Sequence, residues 1–98
     1  MKRILTERAY DIWFAGLRDK EAKLRISKRL ARIERTGEIG DAKNLGDGLA
    51  ELRFSFGPGF RVYFIEDGDT IIILVGGGDK SSQERDIRKA RAAIAESQ

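Results

Sequence analysis

Between residues 49 and 75 the chain spells out three strands in close succession, and this run decides the fold class. Residues 49–56 alternate, with Leu52, Phe54 and Phe56 on one face and Glu51, Arg53 and Ser55 on the other. That period of two marks a strand with unlike faces. Gly57-Pro58-Gly59 turns the chain, and residues 60–65 alternate again, Phe60, Val62 and Phe64 against Arg61, Tyr63 and Ile65. Asp67-Gly68 supplies a second hairpin turn. Residues 70–75, apolar after Thr70, predict a central strand covered on both sides.

Helical patterns flank this run. Residues 2–6 predict a short edge strand, and Thr6 can cap a helix over 7–17, with Ala9, Tyr10, Trp13, Phe14 and Leu17 at helical spacing. Asp19 predicts the N-cap of a second helix whose buried stripe is Ala22, Ile26, Leu30 and Ile33, with Gly37 as its stop. The short Arg18-Asp19 link makes the two a helical hairpin. Residues 37–48, rich in Gly, Asp and Asn, predict a loop. After Gly76-Gly77-Gly78, Ser81 or Ser82 caps a last helix, with Ser81 and Glu84 at capping-box spacing and Ile87, Ala90 and Ile94 facing inward. The expected fold is α+β in the order β-α-α-β-β-β-α. Its sheet is mostly antiparallel, with an N-terminal helical hairpin and a C-terminal helix grouped on one side. A chain of 98 residues suits one domain, 1–98.

Two absences narrow the chemistry. There is no histidine, so Ser-His-Asp and Cys-His mechanisms are excluded; there is no cysteine, so disulfides and thiolate metal sites are excluded too. Proton transfer must use Lys, Arg, Tyr, Asp or Glu. No apolar run approaches the roughly 20 residues of a membrane span, and the basic start lacks a secretory core, which predicts a cytoplasmic protein with no membrane role. The net charge is only +3, but residues 19–36 carry seven cations against three anions. A stripe of one sign suits a polyanionic partner as well as it suits a solvated helix face.

Period two sends Arg53, Arg61 and Tyr63 to the strand face opposite the aromatic residues. Guanidinium groups on stiff strands suit phosphate, because the planar fork binds two oxygens at once. Tyr63 offers a ring for stacking or a hydroxyl for hydrogen bonding. Glu51 lies on the same face and can pair with Arg53 instead. The Gly76–Ser82 stretch lacks P-loop spacing, yet Lys80 stands beside the free N–H groups of a helix start, a setting that favours an anion. Lys43 in the preceding loop can reach a phosphate or stay solvated, and Arg85, Arg88, Lys89 and Arg91 make the last helix basic outside.

Taken together, Glu51-Leu52-Arg53, Gly57-Pro58-Gly59-Phe60-Arg61-Val62-Tyr63-Phe64, Gly77-Gly78-Asp79-Lys80-Ser81-Ser82-Gln83 and Asp86-Ile87 resemble the addiction-module killer, or HigB-like, branch of the RelE/ParE toxins. The resemblance extends to Trp13, Leu17-Arg18-Asp19 and Gly40-Asp41. It implies a RelE-like fold and the toxin of a type II toxin–antitoxin system that cuts mRNA on the ribosome. A cognate antitoxin with a helix-turn-helix domain would neutralise it. Arg61, Arg53 and Lys80 fall where such toxins place catalytic cations, while Lys43, Tyr63, Arg85 and Lys89 would bind RNA. The implied reaction, attack of a 2′-OH on the adjacent phosphate, needs no metal and no cofactor. From residue 81 to 98 there is no tyrosine or histidine, where several RNA-cleaving relatives carry one. That departure leaves the general base unassigned and keeps two alternatives open, a ParE-like gyrase poison and a decayed toxin acting as operon co-repressor.

Overall fold

The computed structural model describes residues 1–96; the side chain of Lys80 and residues 97–98 lie outside the described residues. The elements are β1 (Arg3–Thr6), α1 (Arg8–Ala15), α2 (Lys20–Thr36), β2 (Ala42–Gly46), β3 (Leu49–Arg53), β4 (Arg61–Asp67), β5 (Thr70–Gly77), a 3-10 turn (Lys80–Ser82) and α3 (Gln83–Glu96). The strands form one sheet in the order β1-β5-β4-β3-β2, with β1 parallel to β5 and every other pair antiparallel. The α+β class and mostly antiparallel sheet match the sequence expectation. No described helix is long and apolar enough to cross a membrane.

Three local expectations need correction. Residues 42–46 are a strand rather than loop, hydrogen-bonded to β3 through a turn at Asp47-Gly48. The Asp47 backbone there has a φ of 53°, in the left-handed region that aspartate tolerates better than most residues. The cap ahead of α3 is Asp79, whose carboxylate accepts from the Ser81 hydroxyl and the Ser82 N–H; neither serine is the principal cap. Those two bonds, the hydroxyl's first, hold the Asp79 carboxyl below the usual carboxylate range. Finally, Thr6 continues β1, and Glu7 stands at the start of α1 without a side-chain cap.

A larger correction concerns the layers. The helices do not share one side of the sheet. Tyr10 of α1 and Ala22, Ile26 and Ile33 of α2 pack with Leu52, Phe54, Phe60, Val62, Phe64, Ile71 and Ile73. Ala90, Ile87 and Ile94 of α3 pack with the opposite set, Leu49, Tyr63, Leu74 and Val75. Adjacent strand residues point to opposite faces, so α3 lies across the sheet from the helical hairpin. The central β5 is therefore covered on both sides, as its unbroken apolar run predicts. A register shift in β5, between the Tyr63–Val75 and Phe64–Ile73 pairs, makes Leu74 the extra residue of a bulge. Beyond it Val75 and Gly77 face α3, and Gly76 faces α1.

Candidate functional site

The strand face expected to be open is roofed by α3. Register places Lys43, Glu51, Tyr63 and Val75 in one row across the sheet, and Arg53, Arg61 and Gly77 in the next. Arg53 and Arg61 are thus direct cross-strand neighbours, a register that period two alone, which only puts them on one face, does not fix. Two like charges at that spacing repel, and each finds a carboxylate. Arg53 donates through Nε and Nη2 to Asp41 at 3.3 and 3.2 Å and stays 42% exposed. Arg61 places Nε 3.5 Å from Glu51 Oε2, with side-chain exposures of 13% for the arginine and 1% for the glutamate. Glu51 therefore partners Arg61 rather than Arg53.

Arg61 does not protrude into solvent as the sequence reading expects. Its Nη1 donates to the Gly59 carbonyl at 3.1 Å, while Nε is buried within ion-pair reach of Glu51 but has no hydrogen-bond acceptor. Gln83, the first residue of α3, donates to Glu51 Oε2 at 3.0 Å. One turn on, Asp86 is buried and accepts from the Ser82 hydroxyl at 2.7 Å. It is seated against Gly77, where a Cβ would lie 2.2 Å from Asp86 Oδ2. Arg91 fastens the far end of α3 by donating to the Leu45 carbonyl at 3.0 Å. A guanidinium, two carboxylates and an amide are thus gathered between β3, β4 and the first turns of α3.

Tyr63 requires a further correction. Its side chain is fully buried, so its ring has no face to offer a base. Its hydroxyl is buried without a partner, and burial, reinforced by Glu51 and then Asp86, pushes its pKa far above the ordinary phenol value. An unpaired buried hydroxyl costs free energy, so Tyr63→Phe is expected to leave thermal stability unchanged or raise it by up to about 1 kcal/mol. A marked fall in melting temperature would show that the hydroxyl has a partner.

The remaining candidates are spread around this centre. Lys43 is exposed at the head of the Glu51 row, and Arg85 and Lys89 are exposed on α3. Lys80 opens the 3-10 turn, but its side chain lies outside the described residues. Sequence reasoning missed two residues. Glu51 was visible only as a carboxylate on the arginine face. Arg29, counted in the basic stripe of α2, points inward instead: it donates to the carbonyls of Arg53 and Asp41 at 2.6 Å and of Ile39 at 3.0 Å, over the ring of Phe54. It fixes both backbones of the Arg53–Asp41 pair. No pattern in one sequence separates such a clamp from the solvated arginines around it.

No protein-family model matches the chain. A Haemophilus influenzae protein described as uncharacterized is 39% identical over 89 residues, which span 91% of this chain and 89% of that one. Among solved structures, the RelB–RelE antitoxin–toxin complex of Methanococcus jannaschii matches with a TM-score of 0.68 at 15% identity, over 83% of this chain and 96% of that chain. The isolated E. coli RelE toxin matches with a TM-score of 0.66 at 13% identity, over 94% and 99%. The intact E. coli RelBE toxin–antitoxin complex gives 0.66 at 12%, over 82% and 99%.

Proposed function

The chain belongs to one family with the Haemophilus influenzae protein and has the RelE fold, and from this premise we propose that it is the toxin of a toxin–antitoxin pair and an endoribonuclease acting on ribosome-bound mRNA. The observation that carries the reading is the Arg61–Glu51 pair, a cation and a carboxylate within 3.5 Å on neighbouring rigid strands. The RNA 2′-OH attacks the adjacent phosphorus and the 5′-oxygen leaves. Glu51 takes the 2′-OH proton, filling the place that the absence of histidine leaves open. Arg61, with Arg53 beside it, stabilises the charge gathering on phosphorus. Lys80 protonates the departing oxygen, and Lys43, Arg85 and Lys89 hold flanking phosphates. An antitoxin of helix-turn-helix type, as the resemblance implies, blocks this surface.

Glu51 is almost wholly enclosed, so RNA reaches the pair only when the first turn of α3, held by Gln83 and Asp86, lifts away. The test is direct. Cleaved mRNA should carry a 2′,3′-cyclic phosphate upstream and a 5′-hydroxyl downstream; a 5′-phosphate would reject internal attack. Glu51→Gln keeps the shape and removes the base, and should slow cleavage by about 10²- to 10⁴-fold in a protein that still folds.

A second reading, a non-enzymatic gyrase poison, draws on one observation: Arg61 is enclosed and bound to protein acceptors. Accumulation of cleaved DNA by purified gyrase, with mRNA left intact, would favour it.

A further inference from the structure

A cleft of about 410 Å³ opens between α1 and α3, beyond the Arg61–Glu51 pair. Ala9, Ile12 and Trp13 form one wall, Arg85 and Lys89 stand on the other, and the floor is Val75 with Gly76, Gly77 and Gly78. β1 ends at Thr6 opposite Ile73, so no strand flanks the last four residues of β5 on this side. Three features show what it accepts. Ile12 is 61% exposed on the rim, a large apolar side chain turned to solvent beside an apolar floor. The opposite rim is cationic: Arg85 is 64% exposed and only 3.9 Å at its nearest from Asp86, and Lys89 is exposed.

Gly78 supplies the third. A Cβ at Gly76 would strike Trp13, and one at Gly77 would strike Asp86, so packing explains both. A Cβ at Gly78 would meet nothing within 4 Å, and its φ is not positive. Neither a close neighbour nor a positive φ demands a glycine there, and Gly78 lines the cleft.

We propose that this cleft receives an aliphatic side chain carried on an acidic segment of the antitoxin, which seats between Ile12 and Gly78 and lays its carboxylates along Arg85 and Lys89. The proposal rests on the toxin–antitoxin reading above. An apolar anchor beside exposed Ile12 suits a protein segment better than a polynucleotide, because the most exposed apolar group on that rim is aliphatic and the one aromatic ring in the wall, Trp13, is half-buried. Covering Arg85 and Lys89 also removes cations that flank the RNA path, so the same contact neutralises the toxin.

The test uses the full chain and the product of the adjacent gene. The single tryptophan, Trp13, stands in the cleft wall and reports docking by fluorescence. Ile12→Asp puts a charge against the anchor, and Gly78→Val fills its seat. Each should raise the dissociation constant by about ten- to a hundredfold, the range for losing one buried aliphatic side chain. Ile12→Asp should cleave mRNA as the parent does. Because Ile12 is exposed and Gly78 has space, both variants should melt within a few degrees of the parent. Tight binding by both variants would overturn the inference alone. Loss of cleavage by Ile12→Asp with unchanged partner affinity would make the cleft an RNA surface, which also overturns it. Failure of the parent chain to bind the adjacent product would bring down the toxin–antitoxin reading, and the inference with it.

Discussion

Arg61→Ala is expected to abolish mRNA cleavage and to destabilise the protein at once. Both effects come from the same buried pair. Without the guanidinium, the Glu51 carboxyl, 1% exposed, loses its ion-pair partner and retains the Gln83 amide as its side-chain hydrogen-bond donor among the described residues. Breaking a buried pair by removing one partner costs roughly 3–5 kcal/mol, a large share of the 5–15 kcal/mol that holds a typical domain together. In a chain of 98 residues that corresponds to a fall in melting temperature of more than about 12 °C. Loss of activity alone would therefore be ambiguous. Arg61→Ala combined with Glu51→Gln resolves it, because it removes the stranded charge and should recover most of the stability. That double variant should still cleave at least 10³-fold more slowly than the parent, since phosphate stabilisation and the base are both gone. Arg61→Lys keeps the charge but loses the fork, and should sit between them in rate. Undiminished cleavage by the double variant at its own folded temperature would remove Arg61 and Glu51 from the reaction.

The strands were readable because turns and alternation coincide there: Gly57-Pro58-Gly59 and Asp67-Gly68 punctuate residues whose faces differ. The error over α3 has a physical origin. Glu51, Arg53, Arg61 and Tyr63 fill two neighbouring rows of one face with polar groups, and such a pattern reads as a solvent face. Here it is covered because its charges satisfy one another, and because the Ile87-Ala90-Ile94 stripe of α3 must be buried against something. The hairpin helices already fill the aromatic face, so the polar face is the one left. β2 was hidden for the opposite reason. Ala42, Lys43 and Asn44 are all exposed, so the strand is held by its ladder to β3 and leaves no hydrophobic period. As for the site, the residue types and the shared strand face of Arg53 and Arg61 were legible, while their direct pairing depended on the register. Which carboxylate each would take was not, since that depends on Asp41 being drawn in by Arg29 and on α3 pressing Gln83 onto Glu51.

The glycines at and just past the end of β5 yield the second large effect, and positions two residues apart should respond very differently. Gly76→Ala places a methyl 2.2 Å from Trp13 Cε3 and 2.5 Å from Cδ2. These are ring atoms of a side chain wedged between the sheet and Phe60, 6.3 Å away between ring centroids, not the free end of a flexible chain. The indole must swing toward the cleft and give up its contacts with Tyr10 and Phe60, or α1 must shift off β5. Overpacking of this kind costs about 1–3 kcal/mol and occasionally more, and this contact belongs at the upper end because the overlap, 2.2 Å to a ring atom, is deep. Gly78→Ala adds the same methyl two residues on, into open space with an ordinary φ, and should change stability by no more than about 0.5 kcal/mol. Urea unfolding of the two variants, followed by Trp13 fluorescence, separates them. The bulge at Leu74 is what turns Gly76 toward Trp13 and Gly77 toward Asp86. If Gly76→Ala proved as stable as Gly78→Ala, the register of β5 beyond that bulge would be wrong, and with it the seating of α3 over the Arg61–Glu51 pair.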